Sequence, residues 1–147
     1  MIILTLEINQ EAKAISTHIR VIDEADKLNE YYALLDCQCI DMATICVDGH
    51  PYDVVCDDEG LFRNPLVPTL YVSEEQVLFG NLAFVKVDDE GNTIGLEPDD
   101  ITRLQRYIEQ QREKLHRWTA RQIKKRREME AQKAIKTNQV KGGKGNG

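Results

Sequence analysis

The sequence predicts an α+β fold: a small, mostly antiparallel sheet with one packed helix, followed by a long projecting C-terminal helix. Three observations predict it. Short runs rich in Ile, Val, Thr and Leu alternate with Asp-Gly and Glu-Gly turns, which is strand and hairpin punctuation. One early segment and one late segment instead carry apolar residues three and four apart, the helical spacing. The charge also divides: residues 1–100 hold 5 basic and 21 acidic side chains, net −16, whereas residues 101–147 hold 14 basic and 4 acidic, net +10.

Met1 to Ile8 and Thr17 to Ile22 read as two strands joined by a polar connector. Asp23 is a helix N-cap, and Ala25, Leu28, Tyr32 and Leu35 share one face of a helix from about Asp23 to Leu35. Ile40 to Val47 and Tyr52 to Cys56 flank Asp48-Gly49-His50-Pro51 and form a hairpin, in which Pro51 stops the ladder. That pairing sets Ala43, Ile45 and Val47 on one face with Tyr52, Val54 and Cys56, and leaves Asp41 at its edge. Asn64-Pro65 and Pro68 make Leu61 to Tyr71 an irregular surface connection and a candidate recognition element. Val77 to Phe79 and Leu82 to Val87 read as strand interrupted at Gly80, a bulge or a close backbone approach, and a turn at Asp88 to Asn92 leads to Thr93 to Leu96.

Pro98 opens the long helix, with Asp99 and Asp100 at the positive end of its dipole. Ile101, Leu104, Ile108, Leu115 and Trp118 make its apolar stripe, with Gln111 the one gap. A helix reaching about Ile135 is roughly 57 Å long at 1.5 Å per residue, longer than a small domain is wide, so part of it is expected to project. The domain reading is an acidic α+β domain at 1–97, the helix at 98–136, basic in its second half, and a disordered tail at 137–147.

A chain of 147 residues, 41% hydrophobic and 30% charged, has apolar material for one core and too much charge for a membrane protein. Met1-Ile2-Ile3-Leu4 reaches Glu7 without a basic leader, which points to the cytoplasm. Cys37, Cys39, Cys46 and Cys56 lack the C-x2-C knuckle of a structural zinc site, and the hairpin register sets Cys46 and Cys56 on opposite faces, so reduced inert thiols are expected. His18, His50 and His116 lack a metal-site neighbourhood, and the acidic clusters Asp57 to Glu59 and Asp88 to Glu90 end in glycine, as turns require. No nucleophile elbow, P-loop or dinucleotide fingerprint occurs. Neither an enzyme, a metal nor a cofactor is expected. Arg117, Arg121, Lys124, Lys125, Arg126 and Arg127 form a basic stretch beside Trp118, able to neutralise phosphates on a projecting helix or to serve as its solvated face.

One resemblance extends this reading. Val54-Val55-Cys56-Asp57-Asp58-Glu59-Gly60-Leu61, Asn64-Pro65, Val77-Leu78-Phe79-Gly80-Asn81-Leu82-Ala83-Phe84-Val85, Asp89-Glu90-Gly91 and Leu96-Glu97-Pro98-Asp99-Asp100-Ile101 together resemble the family of domain of unknown function 3846, small accessory proteins of conjugative elements and phages. Glu59, Gly60, Asn64, Gly80 and Ala83 occupy the matching turn and loop positions over about Asp23 to Tyr107. The resemblance implies an accessory role without a catalytic residue. The leading expectation is a non-enzymatic protein that binds a host or element-encoded protein through its acidic domain. The rivals are nucleic-acid binding through the basic helix and a small-ligand pocket near Asn64 and Gly80.

Overall fold

The structure, a computed structural model, describes residues 1–63 and 65–145, with side chains as far as residue 137. Among the described residues, eight strands make a six-stranded antiparallel sheet and a separate two-stranded one. Strands β1 (Ile2–Asn9), β2 (Ala14–Val21), β3 (Ile40–Val47), β4 (His50–Asp57) and β7 (Leu82–Val87) lie in the order β2-β1-β7-β4-β3, with β8 (Thr93–Ile94) paired to β7. Strands β5 (Pro68–Ser73) and β6 (Gln76–Phe79) form the small hairpin. Two helices complete the order, α1 (Lys27–Leu35), entered through a 3-10 turn at Glu24–Asp26, and α2 (Pro98–Gly145).

The β3–β4 hairpin has the expected register, Ala43 opposite Val54 and Ile45 opposite Tyr52, with Asp41 beside Cys56. Its loop is only Asp48-Gly49, at φ 50 and 80, the double positive φ of a turn whose twist matches the strands. Pro51 therefore lies within the ladder instead of ending it, opposite Cys46. It costs no ladder bond: counting from the turn-closing pair Val47 and His50, the Cys46–Pro51 pair is a non-hydrogen-bonded one, and pairing of β4 to β7 begins only at Tyr52.

Period-2 alternation gives the main sheet two apolar faces. On one, Leu4, Leu6, Ile45, Tyr52, Val54 and Phe84 pack with Leu104 and Ile108 of α2 and with Leu70 and Leu78 of the small hairpin. On the other, Ile3, Val55, Ala83 and Val85 pack with Tyr31 and Leu35 of α1. Of the expected face of α1, Leu35 is buried and Tyr32 packs partly against the same core, whereas Leu28 stays exposed and Tyr31, four residues before Leu35, points inward beside it. Asp23 does cap the entry, accepting a bond from Ala25 N at 3.0 Å.

Two expectations around the small hairpin are corrected. The end of the stretch read as irregular, from Pro68 to Tyr71, lies in strand β5, and Pro68 is its first residue, where a missing N–H is tolerated. Gly80 is neither a bulge nor a close approach: at φ +76 with open space around it, it turns the chain from the small sheet into the main one. Its N–H donates to Val67 O at 2.9 Å, and its carbonyl accepts from the Thr69 hydroxyl at 2.8 Å.

The start of α2 is fixed by a polar cluster. The buried Asp100 carboxylate accepts Tyr52 Oη at 2.7 Å, Glu97 N at 2.9 Å, Arg103 at 3.2 Å and Lys86 Nζ at 3.4 Å. Arg103 also donates to Tyr52 Oη at 2.6 Å, so the phenol both gives and receives a hydrogen bond. Gln111, the gap in the apolar stripe, is buried and donates to Tyr71 O at 3.0 Å, which ties α2 to the small hairpin. The chain divides into two compact units, Met1–Leu115 and His116–Gly147, so the first turns of α2 belong with the sheets. The helix continues past its expected end near 136, where the Thr137 hydroxyl bonds back to Lys133 O at 2.9 Å. The expected tail at 137–147 falls almost wholly outside the described side chains.

Candidate functional site

The segment after β4 is held at its base and bare at its tip. The Asp57 carboxylate accepts Glu59 N at 2.9 Å, which folds the chain into a turn and then a 3-10 turn at Gly60–Phe62. It also accepts Arg63 Nε at 2.7 Å, while Arg63 donates a second bond to Asp36 O. Asp36 ends α1 in the left-handed conformation at φ 49, which turns that carbonyl outward. The loop is therefore clamped to the end of α1, and the Asp57 partnership raises the Arg63 pKa above its ordinary value. Above the clamp, Phe62 is 87% and Leu61 67% exposed, and Leu66 is exposed as well.

Beneath this loop lies a cleft of about 330 Å³, bordered by Leu35, Asp57, Arg63, Phe79 and Asn81 as well as by Gly60 and Gly80. Asn81 braces it, donating to Leu34 O at 3.1 Å and accepting Ile8 N at 2.9 Å, so one side chain joins β1, α1 and the sheet switch. Of the five family-pattern positions, Gly60 and Gly80 meet at this cleft. Glu59 stands exposed in the turn above it, Ala83 is buried beneath α1 in the core, and Asn64 lies outside the described residues. Asn81 and Arg63 were missed by sequence reasoning, because what each ties together includes the end of α1, at Leu34 and Asp36, which is distant in the chain.

The basic residues are in the second unit and do not form one stripe. At about 100° per residue, Arg117, Arg121, Lys124 and Lys125 share one sector of α2, whereas Arg126 points to the opposite side. There Arg126 meets Glu130 at 3.4 Å, and both side chains are exposed.

The acidic turns behave as turns. Asp88 accepts Asn92 N at 2.8 Å and Glu90 N at 2.9 Å, and these backbone bonds, Asn92 first, hold its pKa below the ordinary value. The four cysteines are unpaired, with Cys46 and Cys56 on opposite faces as the register requires, and no cluster of three or more metal-binding side chains occurs among the described residues. Burial, with Asp41, Asp57 and Asp58 nearby, pushes the Cys56 thiol up to about 11. Since the thiolate is the nucleophile, a disulfide reagent at pH 8 is expected to label the exposed Cys39 and Cys46 rapidly and to reach Cys37 and Cys56 only on unfolding. Four equally fast thiols in the native protein would contradict this placement.

Among the described residues no helix is long and apolar enough to cross a membrane. A family model described as a domain of unknown function, DUF3846, matches residues 4–111. No curated protein matches the chain, and no solved structure does.

Proposed function

The chain belongs to the DUF3846 family, and we propose that it is a non-enzymatic accessory protein that binds another protein through the loop after β4. The observation that carries this reading is the exposure of Leu61 and Phe62 on a loop whose base is pinned by Arg63 to Asp57 and Asp36. An aromatic side chain already held outward gives up little freedom on docking, so most of its desolvation appears as affinity. Burying Leu61 and Phe62 in a partner's pocket contributes about 1.5–3 kcal/mol each, enough to carry a recognition site. Asp58 and Glu59 beside them, within a region of net −16, favour a partner with a basic rim and speed its approach. The setting on a phage or conjugative element rests on the family resemblance alone.

A photo-crosslinking side chain placed at Phe62 in the native host is the test. A discrete protein adduct is expected, insensitive to nuclease and reduced more than tenfold by Leu61→Asp. An adduct that vanishes with nuclease would instead support the nucleic-acid reading through α2. An adduct indifferent to Leu61→Asp would remove the loop from the interface.

A further inference from the structure

The main sheet has two edges, and they differ. On β3 the Asp41 side chain bonds the backbone of its own strand, at Met42 N and 2.8 Å, and places a carboxylate at the edge, a common device against unwanted pairing. On β2 there is no such device. Its eight residues pair with β1 from Ile2 and Val21 to Asn9 and Ala14 without a bulge, and they include no proline and no carboxylate. Its one formal cation, Arg20, is folded back onto Glu7 of β1 by two bonds of 2.8 and 2.9 Å.

The hydrogen-bond phase shows which groups of β2 face outward. Met1 and Ile22 exchange both of their main-chain bonds, at 2.9 and 3.0 Å. Antiparallel ladders alternate, so Arg20, His18, Ser16 and Ala14 bond to β1, and Ile15, Thr17, Ile19 and Val21 aim their N–H and C=O away from the sheet. These four residues also share one face of the sheet, where Ile19 is 57% and Val21 77% exposed beside the exposed Ile2. An open row of main-chain groups and an apolar strip thus coincide.

We propose that a second copy of this chain docks antiparallel along β2, joining two six-stranded sheets into one continuous sheet about a two-fold axis. Charge selects this occupant. Two copies carrying −16 over their first hundred residues repel wherever carboxylates meet, and β2 is a full strand without one, its arginine already neutralised. A two-fold axis normal to the sheet keeps Ile15, Thr17, Ile19 and Val21 of both copies on one face, so the same apolar residues cover each other. The inference is independent of the loop reading, and Phe62→Asp should leave it untouched.

Sedimentation of the full chain over a range of concentrations is the experiment, with hydrogen exchange read at both ends. A concentration-dependent dimer is expected, in which the amides of Ile15, Thr17, Ile19 and Val21 gain protection and those of His18 and Arg20, already bonded to β1, do not change. Ile19→Pro removes an outward N–H without touching the β1 ladder, and Ile19→Lys places a cation from each copy in the apolar strip; each should raise the dimer Kd at least tenfold. A chain that stays monomeric, a dimer indifferent to both variants, or a dimer without new protection at those four amides overturns the proposal. So does a monomer whose β2 edge is crosslinked to a foreign strand.

Discussion

Asp100→Ala is expected to lower the melting temperature by roughly 10 °C, the effect of about 3 kcal/mol in a chain of this size. Asp99→Ala, one residue away, should cost under about 1 kcal/mol, because the exposed Asp99 contributes only to the helix dipole. The difference lies in what each carboxylate holds. Without Asp100, Glu97 N loses its cap, the buried Tyr52 hydroxyl loses its acceptor, and Arg103 and Lys86 are left facing each other across a desolvated gap. The two cations are partly exposed and can turn to water, which is why the expected cost stops near 3 kcal/mol. Equal melting of the two variants would show that the cluster does not anchor α2.

The same carboxylate sets an acid limb. Burial alone would raise the Asp100 pKa, but bonds from Glu97 N, Tyr52 and Lys86 outweigh it and hold the group below its ordinary value. A depressed folded value means that the unfolded chain binds the proton first, so this contribution is complete above the unfolded pKa of about 3.9 and is lost as the pH falls through the folded one. Glu7, bonded to Arg20 and Thr5, is shifted in the same direction. Asp100→Asn keeps the shape and removes the titration, and its stability should vary less than that of the wild type below pH 4.

Local rules and distant partners account for what the sequence made legible. The β3–β4 register could be read because alternation has a period of exactly two and Asp48-Gly49 fixes the loop, so one residue of slip would have turned Ile45 and Val47 to solvent. The β1–β2 pair and the hairpin to β8 followed from the same signals. The sheet switch at Gly80 was not legible, since Val77 to Phe79 and Leu82 to Val87 carry the same composition whether they continue one strand or enter two sheets. The face of α1 was legible in part: Leu35 is buried as its spacing implies, but Tyr31 and not Leu28 completes the inner face, and both fit a helical stripe with Leu35, so only the sheet beneath decides between them. Of the candidate site, the turn at Asp57 to Gly60 was legible, because an Asp two residues before a backbone N–H and a following Gly are local turn chemistry. The Arg63 clamp and the Asn81 brace were not, and neither was the Tyr52, Lys86 and Asp100 cluster, whose members lie 48 and 14 residues apart.

Cutting the chain after Leu115 should leave a cooperatively folding protein, and cutting it after Pro98 should leave none. The buried contributions of α2 end inside the first unit: Asp100, Leu104, Ile108 and Gln111 are buried, and from His116 onward the described side chains are exposed or only half-buried. Loss of Leu104 and Ile108 alone removes about 1.5–3 kcal/mol each, and the accompanying loss of Ile101, Tyr107 and the Asp100 cluster brings the total within reach of the ~5–15 kcal/mol that holds a whole domain. It also uncovers Leu4, Leu6 and Phe84 on one face of the main sheet, so the shorter fragment is expected to aggregate rather than melt. Leu104→Asp in the full chain makes the same point without a truncation, by placing a carboxylate at the most enclosed position of the helix. If the fragment ending at Pro98 melted cooperatively near the temperature of the full chain, the sheet would be held by α1 and the small hairpin alone. The first turns of α2 would then be a passenger on a finished core.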